Sequence, residues 1–135
     1  MDYKNIQTIC PFCGCGCGLN LEIINGEIVG VLPVNDHPVG RGSLCIKGWN
    51  AHSFVQHPDR LKTPLIRENG NFREASWDEA LDLVGNKLKS IKSKHGSDSI
   101  GVLTSAKCTN EENYLLQKFA RSVIGTNSVD HCARL

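Results

Sequence analysis

The 135-residue chain is 40% apolar and 21% charged, the balance of a soluble globular protein of one domain or two small ones. Its formal net charge is only +1, with acids and bases interspersed, which argues against the basic stripe of a nucleic-acid binder. No apolar run approaches the roughly 20 residues that cross a membrane, so no membrane segment is expected.

The N-terminus, Met1 to Gln7, has neither an apolar secretory core nor paired arginines. The cytoplasm is the expected location, and in that reducing compartment clustered cysteines serve as metal ligands more often than as disulfides.

Residues 1–10 read as a short strand that runs into a cysteine-rich loop. Residues 19–24 alternate as a half-buried strand. Asn25-Gly26 is a two-residue hairpin turn, because both residues tolerate positive φ, and residues 27–32 supply the returning strand. Residues 33–44 are turn-rich, with Pro33, Pro38, Gly40 and Gly42, and they deliver Cys45. The unit ends near Arg60. Residues 62–67 look like an extended connector, and Asn69-Gly70 makes another turn.

Ser76-Trp77-Asp78-Glu79 is a capping box that opens a helix. Apolar residues at 77, 80, 81, 84, 88 and 91 predict one buried face, and Gly96 suits the end. Residues 99–104 read as a buried strand. Thr109 to Glu112 is a second capping pattern, for a helix whose apolar face runs from Leu115 to Ile124 and which Gly125 ends; a short strand follows at 128–130. The order helix, strand, helix, strand suggests parallel α/β architecture. The expected fold class is α+β/α/β: a small β-rich domain over 1–60 that carries the cysteine-rich loop, then an incomplete α/β domain over 61–135.

Four of the seven cysteines fall within residues 10–17, Cys-Pro-Phe-Cys-Gly-Cys-Gly-Cys. Cys10, Cys13 and Cys17 are spaced so that one loop aims three thiolates at a single centre, and Cys45 closes the set from a distance. This spacing suits an iron–sulfur cluster of the cubane type. Gly14, Gly16 and Gly18 let the loop curl and turn its amides toward cluster sulfides. Cys15 breaks the simple count and could replace Cys13 or Cys17. Structural zinc is the bland alternative, although zinc sites more often use paired Cys-x-x-Cys knuckles or histidines. Cys108 reads as a small packed residue. His52 and His57 read as loop residues. Lys47, two residues after Cys45, is either a solvated charge or a link between the cluster and a second cofactor.

Cys-Pro-Phe-Cys-Gly-Cys-Gly-Cys-Gly-Leu followed by Arg-Gly-Ser-Leu-Cys-Ile-Lys-Gly resembles the N-terminus of the molybdenum- or tungsten-bis(pyranopterin guanine dinucleotide) oxidoreductases. Residues 60–67 and 76–81 are general to that family. Asn113-Tyr114, residues 117–121, Ile124 to Asn127 and Cys132-Ala133-Arg134 resemble the formate dehydrogenase catalytic subunit in particular. The resemblance implies that Cys10, Cys13, Cys17 and Cys45 ligate a [4Fe-4S] cluster. It implies that Lys47 lies between that cluster and the pterin, in an electron-transfer role, and that Lys107 and Cys132 approach the pterin cofactor. It also implies formate as substrate, carbon dioxide as product, and an electron-accepting subunit or carrier. In such enzymes the residue after Cys-Ala-Arg-aliphatic is the metal-binding selenocysteine or cysteine. The expectation is therefore that position 136 is that ligand, that a selenocysteine codon ends this chain at Leu135, and that the 135 residues alone are inactive. The alternatives are another bis-pterin oxidoreductase (a formylmethanofuran dehydrogenase or nitrate reductase) or a stand-alone electron-transfer module.

Overall fold

The computed structural model describes residues 1–132. The expectations attached to residues 133–135 and to position 136 lie outside them. The alternating N-terminal segments form three antiparallel strands, β1 (Tyr3–Ile9), β2 (Gly18–Ile24) and β3 (Glu27–Pro33), with β2 in the middle. Asn25 and Gly26 take φ of 51° and 89°, the left-handed pair that a tight hairpin with matching twist requires. Tyr3 faces Ile24 at one end of the β1–β2 ladder and Ile9 faces Gly18 at the other, so register leads both strands into the cysteine loop. Residues of one parity, Leu19 and Leu21 on β2 and Val31 on β3, pack with Cys10 and Ala51 into a small core. β1 is exposed along its length, as an edge strand carrying polar side chains.

A four-residue helix, α1 (Ile46–Trp49), follows Cys45. It is too short to leave a periodic signal in the sequence. The expected connector at 62–67 and the turn at Asn69-Gly70 are parts of a second hairpin, β4 (Leu65–Glu68) with β5 (Asn71–Glu74). Arg67 lies over the Phe72 ring at 4.6 Å, and Arg73 joins Glu68 at 2.8 Å and also Glu79.

The capping patterns resolve as expected. α2 (Trp77–His95) begins with Glu79 N–H donating to Ser76 Oγ at 3.1 Å and stops at Gly96, φ 83°. α3 (Asn110–Phe119) begins with a reciprocal box: Glu112 N–H donates to Thr109 Oγ1 at 3.2 Å, and Thr109 N–H donates to Glu112 Oε2 at 2.7 Å. α3 widens into a π-helical turn over Ala120–Ile124, which Gly125 closes at φ 84°. Strand β6 (Val102–Ser105) starts later than predicted, behind a 3₁₀ turn at Ser97–Ser99, and pairs with β7 (Val129–Cys132). Thr126 is buried and fully engaged. Its hydroxyl donates to Asp98 at 3.3 Å and accepts from Ser128 N–H at 3.1 Å.

The buried face predicted for α2 is not buried. Trp77 is 67% exposed, Leu81 60% and Val84 54%, and among the described residues nothing packs over them. On α3 and its π turn, burial reaches only Ala120 and Ile124, while Leu115 and Val123 stay open. The periodicity is real, but a helix face is buried only where another element covers it. The described chain is thus a mixed α/β structure with small sheets. It divides into two compact units. One comprises Met1–Arg60, Thr104–Leu116 and, among the described residues, His131 and Cys132; the other comprises Leu61–Leu103 and Gln117–Asp130. No helix is long and apolar enough to cross a membrane among the described residues.

Candidate metal centre

The β1–β2 ladder closes the cysteine loop by one further bond, from Cys10 N–H to the Cys17 carbonyl at 2.8 Å. Eight residues, 10–17, therefore hang from the end of a hairpin whose register is already fixed. The loop turns through two left-handed positions, Cys13 at φ 60° and Gly16 at φ 69°. Left-handed backbone at a non-glycine residue costs energy and concentrates at functional sites.

Cys10 is 4% exposed, and Cys17 packs half-buried against the same core. Leu44, the neighbour of Cys45, also packs there, so one small core fixes both ends of the loop and the approach of the distant cysteine. The segment before Cys45 is held by its own backbone bonds, among them Gly42 N–H to the Val34 carbonyl at 3.1 Å and Ser43 N–H to the Gly40 carbonyl at 2.9 Å. His37 orders it further, accepting at Nδ1 from the Val39 and Gly40 amides at 3.3 and 3.4 Å. A Cβ at Gly18 would overlap the His37 ring, so only glycine lets the two approach.

The thiols differ in character. Cys45 stands at the N-terminal end of α1, where the amides of Gly48 and Lys47, and then the Lys47 charge, draw its pKa below the ordinary thiol value. The shift favours the thiolate, the form that ligates iron or zinc. Cys17 is pushed up to about 11, first by partial burial and then by its hydrogen bond to Cys15, whose sulfur lies 3.6 Å away. Cys15 therefore sits beside an expected ligand. Among the described residues no three His, Cys, Asp or Glu side chains gather closely enough to hold one metal ion. The donor set is all sulfur on a glycine-rich loop, which fits a cubane with one thiolate at each of its irons.

Lys107 and Cys132 come together around Ser105. Ser105 Oγ lies 3.2 Å from Cys132 Sγ and accepts from Lys107 N–H at 3.1 Å. The Ser105 hydroxyl, the Ala106 amide and the Lys107 charge, in that order, lower the Cys132 pKa. Ser105 was not legible as a site residue. Nor was Asn110, whose side-chain amide donates to the Gly14 carbonyl at 2.9 Å across 96 residues of sequence. The capping box beginning at Thr109 is a local signal that fixes where Asn110 sits on its helix, but nothing local says what it reaches.

Comparison with known proteins gives a consistent picture. Residues 60–135 match the family model described as molybdopterin oxidoreductase, and residues 3–57 match that of the molybdopterin oxidoreductase Fe4S4 domain. The chain is 55% identical over 135 residues to F420-dependent formate dehydrogenase 1 subunit alpha of Methanococcus maripaludis, covering 100% of this chain and 19% of that protein. It is 47% identical over 135 residues to the F420-dependent formate dehydrogenase subunit alpha of Methanocaldococcus jannaschii, with the same two coverages, 100% and 19%. To the putative formate dehydrogenase YrhE of Bacillus subtilis it is 48% identical over 131 residues, covering 97% of this chain and 13% of that one. Among solved structures, acetylene hydratase from Pelobacter acetylenicus superposes with a TM-score of 0.72 at 28% identity, over 93% of this chain and 18% of that one. The chain thus spans about a fifth or less of the length of these relatives.

Proposed function

The chain belongs to the molybdopterin oxidoreductase family, and from that premise we propose that residues 1–60 are its [4Fe-4S] domain, ligated by Cys10, Cys13, Cys17 and Cys45, and that residues 61–135 begin the α/β domain for a molybdenum or tungsten bis(pyranopterin guanine dinucleotide). The observation that carries the cluster reading is the shared core. Cys10, Cys17 and Leu44, the neighbour of Cys45, all pack on it, which supports one site shared by the loop and the distant cysteine.

The proposed reaction of the whole protein is oxidation of formate to carbon dioxide, releasing a proton and two electrons. Support comes from the identity to formate dehydrogenase alpha subunits across the full chain. A bound cluster supplies one-electron transfer. The protein's part is to hold and tune it. The α1 amides lower the Cys45 pKa and so favour its thiolate form. Lys47, on that same helix, supplies a positive charge beside the site and is the proposed link toward the pterin. Lys107 and Cys132, gathered at Ser105, are the proposed pterin contacts. The electron acceptor is a separate subunit or carrier, coenzyme F420 being the one named in the archaeal relatives. The expected location is the cytoplasm.

The test is formate-dependent reduction of a viologen dye by the intact, cofactor-loaded subunit. Turnover that disappears in a Lys47→Ala variant, while formate still bleaches the metal centre in a single turnover, supports the assignment. Turnover unchanged by that substitution contradicts the role of Lys47. No formate oxidation by the loaded wild type contradicts the substrate.

A further inference from the structure

Asn110 opens α3 immediately after its Thr109 cap, and its side chain reaches the cysteine loop rather than its own helix. The contact is specific in shape as well as in hydrogen bonding. A Cβ on Gly14 would overlap the Asn110 side chain, and the nearest atoms to it all belong to that residue. Thr109, Asn110 and Glu111 also line, with Ile9, Cys13 and Cys15, a small cavity of about 140 Å³ against the loop.

We propose that Asn110 is a positioning residue for the metal centre, one that sets the reduction potential of the cluster by fixing the Gly14–Cys15 peptide. The inference rests on the cluster reading above. In a planar trans peptide the carbonyl and the following amide point in opposite directions. Anchoring the Gly14 carbonyl on Asn110 therefore turns the Cys15 amide away from α3 and fixes the start of the residue whose sulfur lies 3.6 Å from Cys17. Glycine at 14 imposes no preference of its own, so without the anchor the peptide is free to rotate. Amide and thiol dipoles near ligand sulfur are what tune such a centre. The anchor itself is solvent-exposed and adds little to global stability. Positioning and structural roles thus separate in experiment.

Gly14 is outside the left-handed region, so alanine there meets Asn110 and no backbone strain. The experiment compares Asn110→Ala, Gly14→Ala and the double variant in the intact cofactor-loaded subunit. It reads the EPR spectrum and midpoint potential of the cluster alongside the melting temperature. The expected result is a lower potential in each single variant, with the reduced-to-oxidised ratio at fixed ambient potential falling about threefold to tenfold; tenfold is ~59 mV for a one-electron couple. The double variant should match Asn110→Ala rather than sum the two shifts, and all melting temperatures should stay near that of the parent. A potential and spectrum unchanged in Asn110→Ala, or additive shifts in the double, would overturn the inference while leaving the cluster reading intact. A wild-type subunit without a dithionite-reducible cluster signal would overturn both.

Discussion

The N-terminal sheet and helix α2 use apolar residues in opposite ways. In the sheet, Leu19 and Val31 are 1% and 5% exposed and close around Cys10. Along α2, Trp77, Leu81 and Val84 carry an equally regular apolar pattern, and all three stay more than half exposed. Periodicity alone does not separate the two cases. The difference is whether the covering element lies nearby in the chain: β2 finds its partners within a few residues at Asn25-Gly26, whereas α2 meets the π turn only near Leu88 and Lys92 and leaves Trp77, Leu81 and Val84 open.

Truncating one residue from each surface separates the two cases most strongly. Leu19→Ala should cost about 2–5 kcal/mol, the range for a filled core position. Leu81→Ala on α2, 60% exposed, should stay within about 0.5 kcal/mol. Urea midpoints of the 135-residue chain check both, and equal losses would contradict the contrast. Next in size are the helix caps. Thr109→Ala removes an acceptor from a reciprocal box and should cost ~1 kcal/mol, with Ser76→Ala similar. Loss of helical CD on heating reports each. Smaller again is Val84→Lys on the open face: stability should move by less than about 0.5 kcal/mol, while self-association in sedimentation velocity falls. Unchanged sedimentation would show that the face is not a contact surface.

In the cluster-free chain two cysteines make folding depend on pH, in opposite senses. Cys45, held below its ordinary value of 9.0, favours folding above that value, and the contribution is lost as pH falls through its lowered pKa. Cys17 runs the other way: its contribution is full below 9.0 and is lost as pH rises through about 11. Alkylation followed by peptide mapping should therefore label Cys45 at lower pH than Cys17. The reverse order would contradict the lowered pKa of Cys45.

Much of this was legible because it is local. Asn25-Gly26 announces its hairpin through φ, and Ser76 and Thr109 announce their helices through side chains that satisfy first-turn amides. The cysteine spacing announces the loop in the same way. What escaped was either short or distant. Helix α1 has four residues and no period to detect. The β4–β5 hairpin hid its first strand in a stretch read as a connector. His37 acts through the amides of its own loop, and Asn110 acts across 96 residues, where sequence carries no distance information.

Cys10, Cys13, Cys17 and Cys45, and not Cys15, are the proposed ligands of one cubane cluster, and that ligand set is open to direct chemical assay. It is tested most directly by iron and sulfide content with EPR of the dithionite-reduced protein, for Cys45→Ser, Cys13→Ser and Cys15→Ser beside the parent. About four iron and four sulfide per chain are expected in the parent and in Cys15→Ser, with the signal lost in Cys13→Ser and Cys45→Ser. Zinc in place of iron in the parent, or a signal lost in Cys15→Ser and kept in Cys13→Ser, would contradict it.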